Sequence, residues 1–210
     1  MSVTLANSGA KDRRALDFYP TPHEVTVALM EFLDGLDIPL NQLTCCEPAC
    51  GDGHMSEILD KSFAHVESFD IRDTGYGSVY DYLSGRAESC DCLITNPPFA
   101  DSENFIRKAM SENRRVVAML LKSQYWHSKK RLRLFRQYLP SYVLPLTWRP
   151  DFYFGQKSGS PTMEVLWTVW VDGRRDTKYV PLEKPVGFNL DDKGKGKVIH
   201  DTEIETDARI

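Results

Sequence analysis

Several features are missing from this chain, and each absence excludes something. No apolar stretch approaches the roughly 20 residues of a membrane span. The first fourteen residues are polar and carry no apolar core, so no secretory signal is expected and the cytoplasm is the expected location. No C-x-x-C pair occurs among the five cysteines, at 45, 46, 50, 90 and 92, and the odd count argues against a disulfide framework. Cys45, Cys46, Cys90 and Cys92 could approach one another if their strands are neighbours, but adjacent residues on a strand point to opposite faces, so free buried thiols are expected. No internal repeat is visible. The net charge is only −4, so the overall balance does not advertise nucleic acid. The charge is unevenly placed, however. Lys122, Lys129, Lys130, Arg131, Arg133 and Arg136 fall close together, with Arg149 following. Such a run is either a solvated helix face or a phosphate-binding patch.

The 210 residues, 41% of them hydrophobic, suit one soluble domain with one core. Thr21-Pro22-His23-Glu24 reads as a helix start, with Thr21 as cap and Glu24 closing a capping box. Val25, Ala28, Leu29, Phe32 and Leu36 follow at helical spacing, and Gly35 falls where the helix should stop. Short apolar runs at Leu43–Glu47, Val66–Ile71, Asp91–Thr95 and Val116–Leu121 read as strands, with Ser78–Leu83 a loop or very short strand. Helical faces fall between them: Met55, Ile58, Leu59 and Phe63; Phe105, Ile106, Ala109 and Met110; and Leu132, Phe135 and Leu139 beneath the basic run. Alternating strands and helices imply a mostly parallel, doubly wound sheet. Two late strands, Tyr142–Thr147 and Met163–Val171, succeed one another without a helix and imply an antiparallel edge.

Two motifs stand at strand ends. Glu47-Pro48-Ala49-Cys50-Gly51-Asp52-Gly53 follows the first strand, and its glycines let backbone turn sharply and approach a ligand. The third glycine of a dinucleotide fingerprint is absent, and Asp52 would repel a pyrophosphate. Asn96-Pro97-Pro98-Phe99 follows Cys92–Thr95, and an amide, two rigid prolines and an aromatic ring make a clamp for a planar amino group. Together these strings resemble motifs I and IV of the S-adenosylmethionine-dependent amino-methyltransferases, most closely the adenine-N6 DNA methyltransferases. The resemblance runs from about Asp17 to Val171.

The resemblance implies a Rossmann-like class I methyltransferase fold with S-adenosyl-L-methionine as cofactor. The zwitterionic methionine end of that cofactor suits Glu47 or Asp52, with the loop N–H groups, better than a phosphate would. Pro48, Ala49, Gly51 and Gly53 complete the loop. Asp70, at the end of the second strand, is placed to accept from ribose hydroxyls, with Asp73 a rival. By resemblance, Asp81 accepts from the cofactor's adenine amine, although the short segment between Asp70 and Asp91 departs from the family pattern. Asp17-Phe18-Tyr19-Pro20-Thr21-Pro22 resembles motif X, which puts Phe18, Tyr19 and Thr21 at the methionine end.

The chemistry is set by the residue types. The exocyclic amine of adenine is a poor nucleophile, because its lone pair is conjugated with the ring. The Asn96 side-chain oxygen and the Pro97 carbonyl can accept its two hydrogens and free the lone pair. Pro98 stiffens the turn and Phe99 stacks on the base. Cytosine 5-methylation would need a thiolate where Pro98-Phe99 stand, and cytosine-N4 enzymes usually begin the tetrapeptide with Ser. A duplex base must be flipped out to reach such a site. Phe152 and Tyr153, in the loop from Asp151 to Gly159, are expected to face that base, and Lys129, Lys130 and Arg131 to hold the phosphate backbone.

The expected activity is N6-adenine methylation of DNA. Alternatives are adenine in RNA, a protein glutamine, or a non-catalytic cofactor-fold subunit of a larger assembly. The expected organisation is a disordered segment over 1–14, a catalytic domain over 15–175, and an extension over 176–210 with a mobile tail from about 191. That extension is too short for a separate target-recognition domain, so either short or relaxed target sites are expected or recognition comes from loops or a partner. By analogy, a small enzyme of this kind suits the cytoplasm of a bacterium or a phage-infected host. Neither the target sequence nor the oligomeric state is written in these residues.

Overall fold

The computed structural model describes residues 19–85, 89–152 and 163–186. Phe18, Tyr153 and the segments 1–14 and 191–210 lie outside these residues. Five strands run in parallel: β1 (Thr44–Glu47), β2 (His65–Asp70), β3 (Ser78–Val79), β4 (Cys92–Thr95) and β5 (Val116–Lys122). Antiparallel β7 (Val165–Val171) lies on β5, and β6 (Tyr142–Pro145) pairs antiparallel with β7 in turn. A two-residue strand, β8 (Lys178–Tyr179), adds in parallel beyond β6. The sheet order is β3-β2-β1-β4-β5-β7-β6-β8. The mostly parallel sheet with its antiparallel side is therefore as the alternation of elements implies.

The central strands are buried on both faces, which is why they read as continuous apolar runs. Alternate residues feed two cores. Cys45, Cys92, Ile94, Val116, Ala118, Leu120 and Trp167 pack with Val25, Leu29 and Leu33 of helix α1 (His23–Asp34). Ile58 and Leu59 of the short helix α2 (Ser56–Leu59) join them. On the other face Cys46, Leu93, Val117, Met119 and Leu121 pack with Phe105 and Ile106 of α3 (Ser102–Met110) and with Leu134 of α4 (Leu132–Gln137). All five cysteines are free thiols, and Cys45 and Cys46 do point to opposite faces. Fully buried Trp167 donates its indole N–H to the Val25 carbonyl at 3.0 Å, tying α1 to β7.

Four local expectations are corrected. Thr21 does not cap α1. Pro22 occupies the N-cap with no side-chain bond, and the Thr21 hydroxyl turns towards Asn96 instead. Glu24 closes no capping box; it lies 3.9 Å from Lys184. The basic run is not one helix, because Lys129–Arg131 forms a 3-10 turn ahead of α4. That tighter turn shifts the phase of α4. Leu134 becomes the buried residue, while Leu132 and Leu139 are half exposed.

Candidate active site

The carboxyl ends of β1, β2 and β4 bound a cleft that is open at its mouth. Its place in the sheet has a topological cause. The chain leaves β1 towards β2 on one side, and β4 returns on the other side of β1, so loops diverge at that point and leave a crevice. Tyr19, Pro20, Thr21, Glu47, Ala49, Gly51, Asp52, Asp70 and Asn96–Phe99 all line it. Residues more than 70 positions apart in sequence thus meet at one place.

The glycine loop is built as its composition requires. Gly51 and Gly53 have φ of 54° and 92°, the left-handed region that glycine enters without penalty. A Cβ on Gly53 would lie 2.5 Å from the Tyr76 ring, so the loop from β2 to β3 packs directly on the glycine loop. The Gly51 N–H donates to Asp70 Oδ2 at 3.1 Å, and the Thr74 hydroxyl donates to the Gly51 carbonyl. Asp70 Oδ1 accepts from the backbone and side chain of Arg72, at 3.0 and 3.3 Å. Asp70 is thus both a wall of the cleft and the post that holds the loop.

Glu47 is 2% exposed, and its carboxyl accepts from the Ser56 hydroxyl. Burial drives its pKa up to about 8, a rise that the Ser56 bonds only partly offset and that nearby Asp70 and Asp52 reinforce. Burial likewise pushes the Cys50 thiol up to about 12, so the cysteine of the cleft wall is no thiolate near neutral pH. At the mouth, His54 Nδ1 is 2.7 Å from Asp52 Oδ1, and its ring stacks on His23 at 5.3 Å. Burial, then the neighbouring His54, lowers the pKa of His23.

The Asn96 amide is oriented by its partners. Its Nδ2 donates to the Tyr19 carbonyl at 3.3 Å and to Thr21 Oγ1 at 3.1 Å. A carbonyl can only accept, so the NH2 group must face it, and Oδ1 is left as an acceptor with no donor among the described residues. The next three carbonyls divide in the same way. Those of Pro98 and Phe99 accept from Ser102 Oγ at 3.2 Å each, and Pro98 also takes the Asp101 N–H at 2.9 Å. The Pro97 carbonyl accepts from no described residue. Two acceptors of adjacent cleft-lining residues thus take no donor among the described residues. The Phe99 ring lies 5.8 Å from that of Tyr19, and Lys122 Nζ sits over it, 3.9 Å from its centroid.

Not every residue that the sequence points to converges here. Asp81 does not line the cleft; its Oδ1 accepts from the Leu83 N–H at 3.0 Å in a local turn. Phe152, expected to face a base, is 3% exposed and packs edge-on against Tyr19 at 6.3 Å, so its ring belongs to the core. Pro48 is buried beneath the loop and is not part of the lining. Lys129 and Lys130 are exposed beyond the end of β5, whereas the Arg131 guanidinium stacks on Tyr125 at 3.6 Å and donates to its carbonyl. Pro20, Cys50, His54, Met55 and Arg72 also line the cleft, although the motifs assign them no role. Adjacency is the signal that marks them: each lies within three residues of a motif position.

No family model matches the sequence, and no curated protein does. Solved structures do share its fold. A protein assigned as a class I S-adenosylmethionine-dependent methyltransferase from Listeria monocytogenes superposes with a TM-score of 0.59 over 80% of this chain, at 11% identity. The modification subunit of a type I restriction enzyme from Vibrio vulnificus gives 0.60 over 84%, at 13% identity. The methyltransferase subunit of a type I restriction-modification system from Streptococcus thermophilus gives 0.60 over 88%, at 12% identity. The chain spans 66%, 50% and 51% of the lengths of those three. The architecture is the Rossmann-like class I methyltransferase fold.

Proposed function

We propose that this protein transfers a methyl group from S-adenosyl-L-methionine to the exocyclic N6 amine of adenine in DNA. The observation that carries the reading is the pair of acceptors, Asn96 Oδ1 and the Pro97 carbonyl, which take no donor among the described residues and follow β4 in the lining of the same cleft as the glycine loop. Two adjacent acceptors without donors suit a group that brings two hydrogens, as a primary amine does.

The residues of the other half of the cleft fit the cofactor. Asp52 and Asp70 bring carboxylates to that half, which disfavours a pyrophosphate, and Glu47, which holds its proton to about 8, can ionise against an ammonium. Glu47 and Asp52 are the residues for the ammonium, and Asp70 for ribose hydroxyls. Tyr19 and Thr21, in the wall beside Asn96, serve the methionine end. When bound, the cofactor supplies an activated methyl on a good leaving group. The chain then has three tasks. Asn96 Oδ1 and the Pro97 carbonyl draw the amine hydrogens towards themselves and turn the nitrogen lone pair out of conjugation. Phe99 holds the base plane against its ring. The cleft walls that line both halves would hold the amine nitrogen towards the methyl group that a bound cofactor would supply. The amine sheds its proton afterwards, to solvent, and no strong base is needed.

DNA is favoured over other amine carriers by fold-level analogy. Two of the structural neighbours are methylation subunits of restriction-modification systems. The test is incorporation of labelled methyl into DNA, RNA and protein, side by side, with the modified nucleoside identified after digestion. N6-methyladenine in DNA is the expected product. Label in RNA or in protein glutamine alone would replace the substrate, and none anywhere would remove the enzymatic reading.

A further inference from the structure

Lys122, the last residue of β5, ends at the aromatic ring of the cleft. Its ammonium lies 3.9 Å from the centroid of Phe99. The side chain is only partly exposed, and no carboxylate lies within ion-pairing distance of it among the described residues. The nearby acid Glu164, on the strand side facing Ser123, is already engaged by Arg149 at 2.7 Å. A cation over a ring gains less than the same cation gains from an anion in a charge-assisted hydrogen bond.

Two conflicts arise when a base is stacked on Phe99 for amine methylation. On the ring face that Lys122 covers, that base would sit at about 3.5 Å from the ring, in the volume the ammonium now fills. The reacting nitrogen also becomes positive as it takes the methyl, close to a lysine that carries the same sign and has no counterion. Both conflicts end if the ammonium swings off the ring onto an anion that the substrate itself brings. A protein amide brings none. A nucleotide brings one at a fixed distance from its base.

We infer that Lys122 is the anchor for the phosphate of the target nucleotide, released from Phe99 by the incoming base, and that the site therefore selects a polynucleotide strand. The inference rests on the amine-methylation reading for the position of the base. Its test is a binding measurement that does not need turnover.

The probe is a fluorescent single-stranded oligonucleotide with one adenine among thymines, and its ribo-counterpart with one adenine among uridines. Each is made with a normal phosphate or a neutral methylphosphonate on the 5′ side of the adenine. Lys122→Met keeps the chain length and removes the charge; Lys122→Arg keeps the charge. Affinity for S-adenosylhomocysteine reports that each variant is folded. Lys122→Met is expected to bind the normal strand roughly tenfold more weakly at low salt, with the salt slope flatter by about 0.7 for one contact to a single strand. Lys122→Arg is expected to restore most of both. The methylphosphonate should cost the wild type a similar factor and cost Lys122→Met nothing further. Whichever strand shows this pattern upholds the anchor and identifies its source. Additive losses from the variant and the methylphosphonate, an unchanged salt slope, or no strand binding at all would overturn it. Failure of methyl incorporation with this binding pattern intact would instead overturn the reaction.

Discussion

At the scale of single residues, the cleft works by leaving some groups unpaired and engaging their neighbours. Asn96 shows this most directly. Asn96→Ala is expected to abolish methyl transfer while leaving S-adenosylhomocysteine affinity nearly intact, because the proposed role of its oxygen is to meet the target amine rather than the sulfonium. Thr21→Val removes one of the two acceptors that orient the amide. It should lower turnover by roughly tenfold, the worth of about one hydrogen bond. A single-turnover assay beside calorimetry separates the two effects, and normal turnover in Asn96→Ala would defeat the amine mechanism. Glu47 carries the pH dependence. In the unfolded chain it ionises at its ordinary 4.5, and in the fold it holds its proton to about 8. The folded state therefore binds the extra proton between those values, so the stability that Glu47 contributes is full below 4.5 and is lost as pH rises through about 8. Glu47→Gln should flatten that decline and raise the urea midpoint at about pH 7 to 8. Cofactor binding runs the other way. An ammonium beside Glu47 favours its ionised form, so affinity should rise as pH approaches about 8, and binding near neutral pH should release a proton. Calorimetry in buffers of different ionisation enthalpy measures that release; none would mean that Glu47 does not meet the ammonium.

At the scale of elements, the end of the sheet away from the cleft is held by charge. Arg114, its side chain 2% exposed, donates to Glu112 Oε2 through Nε and Nη2 at 3.1 and 2.8 Å and to the Cys90 carbonyl at 2.8 Å. Tyr82 and Lys108 complete the ring around Glu112, at 2.8 and 3.2 Å. This cluster joins the segment after β3 to the turn before β5. Removing one partner leaves a buried guanidinium without a counterion, which typically costs about 3–5 kcal/mol. Glu112→Ala is therefore expected to lower the melting temperature by many degrees, without a change in cofactor affinity once the protein is folded. A shift of only a degree or two would show that water compensates Arg114.

At the scale of the whole molecule, the charges divide the surface. Asp52 and Asp70 line the cleft, while Lys129 and Lys130 stand exposed past the carboxyl end of β5. Neutralising Lys129 and Lys130 together should weaken binding of all DNA sequences alike and flatten the salt slope by up to about two units. Adding Arg131 to the change should contribute little more, because its guanidinium is committed to Tyr125. Site preference should stay unchanged, because phosphates carry no sequence information. DNA affinity measured against salt decides it, and an unchanged slope would mean that these lysines only solvate the turn.

The sequence by itself determined the parts of this molecule that depend on local chemistry. Short runs with strand character placed β1, β2, β4 and β5, and the glycines of Glu47–Gly53 marked a loop whose φ values are indeed positive at Gly51 and Gly53. Asn96-Pro97-Pro98-Phe99 follows β4 as its position after an apolar run implied. Tertiary structure decided what depends on distant partners. Nothing local says that Thr21 should hold Asn96 rather than cap a helix, since a threonine hydroxyl serves either role until the strands are assembled. Phe152 is a core residue because its neighbours, Tyr19 among them, leave it no open face, and the same ring in an unpacked loop would suit a base. The pairing of β8 with β6 rests on two exposed residues with no pattern of their own. The placement of Lys122 over Phe99 joins the ends of two strands, and the register of β4 on β5 sets that distance.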